Sequence, residues 1–115
     1  MSELADQKCV PCRGAVLALA EEDVKRLLEK LNGWQAVDNK RLSKSFRFAD
    51  FMGAMQLANR IATLAEEQGH HPDLLVRWGE LRIELWTHKI DGLTESDFVL
   101  AAKIDRAAAH PLSGG

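Results

Sequence analysis

The sequence predicts an α+β domain, a four-stranded antiparallel sheet with three helices packed on one face, in the order helix–hairpin–helix–hairpin–helix. Three observations carry that expectation. Apolar residues recur at helical spacing in three segments. Between them, four short runs read as strands, with side chains of different character alternating along the second and fourth. Residues that cap helices or form turns stand at the boundaries.

In chain order, residues 1–20 are expected to form an extended leader, 21–110 the single folded domain and 111–115 a short tail. A first helix is expected over 21–31: Val24, Leu27, Leu28 and Leu31 share a face, and Glu21, Glu22 and Asp23 place acids at its positive end. Asn32 and Gly33 then stop it. Strands are expected over 34–37 and 42–48, the second with Leu42, Lys44, Phe46 and Phe48 on one face and Ser43, Ser45 and Arg47 on the other. Asp38 and Asn39 between them are hairpin-forming residues. Asp50 is positioned to cap a helix that runs to about Gln68, with Phe51, Met55, Leu57, Ala58, Ile61, Leu64 and Ala65 as its apolar stripe and Gly69 as its stop. A second hairpin is expected over 74–78 and 81–87. In its second strand Leu81, Ile83, Leu85 and Thr87 alternate with Arg82, Glu84 and Trp86, so one sheet face is covered and the other more open. Thr94 begins a last helix with Asp97 in the reaching position of a capping box, and Pro111 lies beyond its end near Ala109.

Bulk properties narrow the function. The 115 residues suit one compact domain, and 46% hydrophobic with 28% charged residues is the balance of an ordinary soluble protein. A domain this small buries only about two thirds of its unfolded surface, so self-association would be a source of added stability. A net charge of −2 argues against DNA or RNA as the main partner. No apolar run spans a bilayer, and the acidic first residues do not resemble a secretion signal, which makes the cytoplasm the expected compartment. The two cysteines, Cys9 and Cys12, form a CxxC in the leader. That spacing suits a redox pair or half a zinc site, but no strand precedes it and no second ligand pair accompanies it, so simple free thiols are the expected reading.

The chemistry concentrates in three of the four histidines. His70 and His71 follow the central helix directly, stiffened by Pro72, and His88 ends the last strand. Acids flank them: Glu66 and Glu67 in the last helical turn, Asp73 after the proline, and Asp97 at the start of the final helix. Three readings stand side by side. Paired histidines can cap a helix C-terminus, where positive charge is favoured. Three can hold zinc, although the spacing that aims two rings at one ion is missing. They can also serve as acid and base, since imidazole exchanges protons near neutral pH without a large perturbation.

Glu66, His70, His71 and Pro72, followed by Trp78, His88 and Asp97 after five, nine and eight intervening residues, resemble the signature of the pterin-4a-carbinolamine dehydratases. Phe48, Asp50, Phe51, Thr87, Gly92, Leu93, Thr94 and Glu95 extend the likeness over residues 21–108. Two positions depart from the family pattern: Gly69 stands where animal members often have Asp, and Leu75 where an aromatic is often found.

The resemblance implies that the substrate is a tetrahydropterin hydroxylated at C4a, as formed when aromatic amino acid hydroxylases use their cofactor. Loss of water gives the quinonoid dihydropterin and requires neither metal nor redox cofactor. His70 and His88 resemble the family's general acids, one for each face of the ring, and His71 the residue that orients it. Glu66 and Asp97 would hold these histidines, with helix capping an alternative for Asp97. Asp73 and Thr87 would support the site. Trp78 reads as core or rim packing more readily than as a stacking platform. The family also implies a homodimer or homotetramer. Family members serve as well as a dimerisation partner for a transcription factor, or as assembly factors for a carbon-fixing enzyme. The assembly factors tend to lose the histidine signature that this chain keeps whole.

Overall fold

A computed structural model describes residues 4–6 and 18–109. The elements are α1 (Glu21–Leu28), β1 (Gln35–Val37), β2 (Arg41–Arg47), α2 (Phe51–Gln68), β3 (Asp73–Arg77), β4 (Glu80–Leu85) and α3 (Glu95–Ala109). The four strands form one antiparallel sheet in the order β1-β2-β4-β3. The expected α+β architecture is therefore the one observed.

Register explains the core. Leu42 pairs with Leu85, Lys44 with Ile83 and Phe46 with Leu81, while Leu74 and Val76 of β3 face Ile83 and Leu81 from the other side. Because side chains alternate with period two, all of these lie on one sheet face. That face meets Leu57 and Ile61 of α2 and Phe98, Leu100 and Ile104 of α3, all essentially inaccessible to solvent. Lys44 is the one cation in this apolar row. Its Nζ donates to Asp105 Oδ1 at 2.7 Å and to the Asn32 carbonyl at 2.8 Å, and Asp105 Oδ2 accepts from Trp34 Nε1 at 3.0 Å. A partly buried charge so placed keeps its partners.

The turns carry the local chemistry expected of them. Asp38 and Asn39 both adopt positive φ, and Lys40 N–H closes the hairpin on the Val37 carbonyl. Asp50 accepts from Gly53 N–H at 2.8 Å and so caps α2. Gly69 ends that helix in the left-handed region at φ 66°.

Several expectations need correction. α1 stops at Leu28 rather than residue 31, because Lys30 and Leu31 bond back three residues, to Leu27 and Leu28, and the last turn tightens. Strand ends shift by one or two residues to the limits of pairing. Phe51 shares the azimuth of the core face of α2 yet is 45% exposed, since it lies one turn before Ala54, where the buried stripe begins. The leader is not wholly extended. Leu4–Asp6 is a 3-10 turn whose Leu4 and Ala5 are buried, with Lys103 Nζ on the Ala5 carbonyl and Arg106 on Asp6. Cys9 and Cys12, and the tail 111–115, lie outside the described residues.

Candidate active site

Two chain passages build the site. In the first, Gly69 turns the end of α2 so that His70, His71 and Pro72 link it to β3. In the second, β4 continues to Thr87, whose N–H bonds the Gly92 carbonyl at 2.8 Å and closes a loop holding the 3-10 turn His88–Ile90. Gly92 admits no larger residue without movement, as a Cβ there would stand 2.7 Å from that of Ala18. Leu93 and Thr94 then lead into α3, the Leu93 carbonyl accepting from Leu19 N–H.

These passages meet at Asp97, which is 0% exposed. His70 Nε2 donates to Asp97 Oδ1 at 2.6 Å. Asp97 Oδ2 accepts from the Thr87 hydroxyl at 2.8 Å and from Thr94 N–H at 2.9 Å. The second contact is the reaching half of a capping box, so Asp97 ends a helix and holds a histidine with the same carboxylate. A buried carboxylate is costly unless its oxygens are satisfied, and here three donors satisfy them. The two threonine hydroxyls are 2.9 Å apart. Because the Thr87 proton points to Asp97, Thr94 is the donor to Thr87.

His71 is held differently. Its Nε2 lies 2.7 Å from Glu66 Oε2, one α-helical turn back on α2, and both side chains are exposed. The adjacent rings thus turn to separate carboxylates. Each has its Nε2 engaged with a carboxylate. His88 rests against the Trp86 ring, centroids 4.5 Å apart, and the Arg41 guanidinium covers Trp86 at 4.3 Å. The covalent neighbour of His88, Thr87, ties it to the His70–Asp97 pair.

Not every expected residue joins this group. Asp73 opens β3 on the outer sheet face, beside a hollow of about 480 Å³ that it shares with Pro72, Leu75, Arg82 and Glu84. Trp78 occupies the β3–β4 turn with Gly79 and is 71% exposed, so it is not core. The length of β3 separates it from the histidine pair, roughly 15 Å at ~3.3 Å per residue. Among the described residues, no three His, Cys, Asp or Glu side chains converge as ligands of an ion would. Trp86, Arg41 and the hydroxyl of Thr94 are contributors that sequence reading did not single out, and none lies at a spacing that a local pattern reveals.

Chemically, the arrangement offers two imidazoles, each paired with a carboxylate, at one end of the sheet, and imidazoles are side chains able to exchange protons near neutral pH. Likeness to known proteins bears on what such a site serves. A family model described as pterin 4 alpha carbinolamine dehydratase matches residues 17–107. A Rubrobacter xylanophilus protein named for pterin-4-alpha-carbinolamine dehydratase is 56% identical over 92% of this chain and 99% of its own. A crystal structure of a transcriptional coactivator/pterin dehydratase from Brucella melitensis covers 79% of this chain and 98% of its own, at TM-score 0.74 and 34% identity. A pterin dehydratase-like protein identified as a RuBisCO assembly factor of the alpha-carboxysome covers 67% of this chain and 90% of its own, at TM-score 0.58 and 25% identity.

Proposed function

The chain belongs to the pterin 4 alpha carbinolamine dehydratase family, and from that premise we propose that it dehydrates a 4a-hydroxytetrahydropterin by histidine acid–base catalysis. The dehydratase activity follows from relatives that match nearly the whole chain. The observation that supports the histidine mechanism is the buried Asp97 carboxylate 2.6 Å from His70 Nε2.

The elimination breaks the bond between C4a and its hydroxyl. One proton reaches the departing oxygen and one leaves the adjacent ring nitrogen, so substrate becomes quinonoid dihydropterin and water with no net gain of protons. Protonated His70, its Nε2–H held by Asp97, presents Nδ1–H as the acid. The carboxylate fixes the ring and offsets the imidazolium charge, the role such a group plays for catalytic histidines generally. His88, braced by Trp86, is the second acid for the opposite ring face. His71 binds and orients the pterin, with Glu66 holding its ring.

The product fits recycling of the pterin used by aromatic amino acid hydroxylases. The oligomer is a dimer or a dimer of dimers: β1 and β3 are open sheet edges, and pairing such an edge across a two-fold satisfies its backbone groups. Among the described residues no helix is long and apolar enough to cross a membrane.

A purified-protein assay of 4a-hydroxytetrahydropterin dehydration tests the reading. Turnover well above the spontaneous rate, lost in the variant lacking both His70 and His88, is the expected result. A folded protein that leaves the spontaneous rate unchanged refutes it and favours a binding role like that of the assembly factor.

A further inference from the structure

We infer that the hydroxyls of Thr94 and Thr87 form a relay that positions His70 through Asp97, making both threonines positioning residues for the acid. The inference rests on the proposed role of His70, but its first readout does not.

The relay has a direction. Thr94 O–H donates to Thr87 Oγ1, Thr87 O–H donates to Asp97 Oδ2, and Asp97 Oδ1 accepts from His70 Nε2. Capping of α3 needs only the Thr94 N–H contact with Asp97, so the two hydroxyls are surplus to the helix end. Their geometry serves the other oxygen. With Oδ2 fixed by two donors, the carboxylate plane is set and Oδ1 has one direction in which to accept. Thr87 and Asp97 are both buried, so water cannot replace a lost hydroxyl without a rearrangement. Hydrogen bonds in such a chain polarise one another, and the outer hydroxyl then acts only through the inner one. The neutral form of His70 is thereby held as the tautomer with hydrogen on Nε2, so that Nδ1 is the nitrogen that takes up a proton and delivers it to substrate.

The test uses the full chain with Thr94→Val, Thr94→Ser, Thr87→Val and the double variant Thr87→Val/Thr94→Val. Nitrogen-15 spectra of the His70 ring, recorded without substrate, read the tautomer directly. Wild type should show hydrogen on Nε2, and Thr87→Val a mixture of tautomers. In the dehydration assay kcat should fall about tenfold or more for Thr87→Val and less for Thr94→Val, the range for partners that orient an active group, with KM nearly unchanged. Thr94→Ser should restore both readouts, and the double variant should be no worse than Thr87→Val alone. Unchanged His70 spectra in the two valine variants overturn the inference, whatever the protein catalyses. So does a Thr94→Ser variant as impaired as Thr94→Val, which assigns the residue to packing, or additive losses in the double variant. Perturbed spectra in a protein without dehydratase activity leave the relay standing and refute the function proposed for it.

Discussion

Asp97 Oδ1 and His70 Nε2 stand 2.6 Å apart across 27 positions of sequence, joining the start of α3 to the loop after α2. The same carboxylate ties down Thr87 at the end of β4, so one buried side chain fastens three elements. Asp97→Asn keeps the shape but sets an amide N–H against at least one of the three donors, or two if the nitrogen takes the place of Oδ2. The expected outcome is a kcat lower by about 10² or more, since a histidine whose partner no longer fixes its tautomer is a poor acid. Asp97→Ala strands the Thr87 and Thr94 donors as well and should cost about 2–6 kcal/mol in urea unfolding, at ~1–3 kcal/mol for each of these two unpaired groups. Wild-type turnover in Asp97→Asn would reduce the residue to a helix cap.

The two tryptophans outside the site should part company. Trp34 is 5% exposed and gives its indole N–H to Asp105, whereas Trp78 is 71% exposed at a turn. Trp34→Ala is expected to destabilise by about 3–5 kcal/mol, as truncated buried aromatics do. Trp78→Ala should stay within about 0.5 kcal/mol, the range for surface changes. Urea midpoints compare them. A loss at Trp78 matching that at Trp34 would mean that the assembled protein covers it.

Glu80 gives the fold an acid-sensitive contact. Arg77 Nε donates to its Oε1 at 2.7 Å, and this bond, with one from Ser45, holds the carboxyl below its ordinary value of 4.5. A carboxyl that is more acidic when folded stabilises the fold above its unfolded value, and that contribution disappears as pH falls through the folded value. Glu80→Gln should therefore be less stable than wild type at neutral pH, and the gap should narrow below about pH 4.5. Urea unfolding across pH 3–7 reads this, and a gap that stays constant would place the effect in packing rather than charge.

How far the sequence discloses these features depends on how local their causes are. Asp50, Gly69 and the alternation through β4 act over a few residues, so the boundaries of α2 and the inner face of the sheet are legible directly. The end of α1 is not, because Leu31 continues the helical period while its hydrogen bond has already tightened. Trp78 reads as core or rim by residue type, and only the fold shows that it sits on a hairpin tip. Docking of Leu4–Asp6 depends on Lys103 and Arg106, about a hundred positions away. In the site, Glu66 and His71 are neighbours along one helix end. The link from Thr94 to Thr87, by contrast, exists only once the loop closes through the Thr87–Gly92 bridge.

The separate supports of the histidines bear on the division of work proposed for them. His70 has a buried carboxylate behind it, and its side chain is only 14% exposed. His88 leans on Trp86 from the other passage of chain. If the two serve opposite faces of a flat ring, each should act mainly on one C4a stereoisomer. Removing a general acid costs ~10²–10⁴ in rate when nothing replaces it. His70→Ala and His88→Ala should then each lose that much on one isomer and much less on the other, with opposite preferences. His71→Ala should instead raise KM for both more than it lowers kcat, as expected for lost ground-state contacts. Single-turnover dehydration of each resolved isomer by the three variants decides the matter. The double variant lacking His70 and His88 should be folded yet nearly inactive, since neither imidazole belongs to the hydrophobic core. Equal losses on both isomers for His70→Ala and His88→Ala would remove the division by face and make the histidines one cooperating unit.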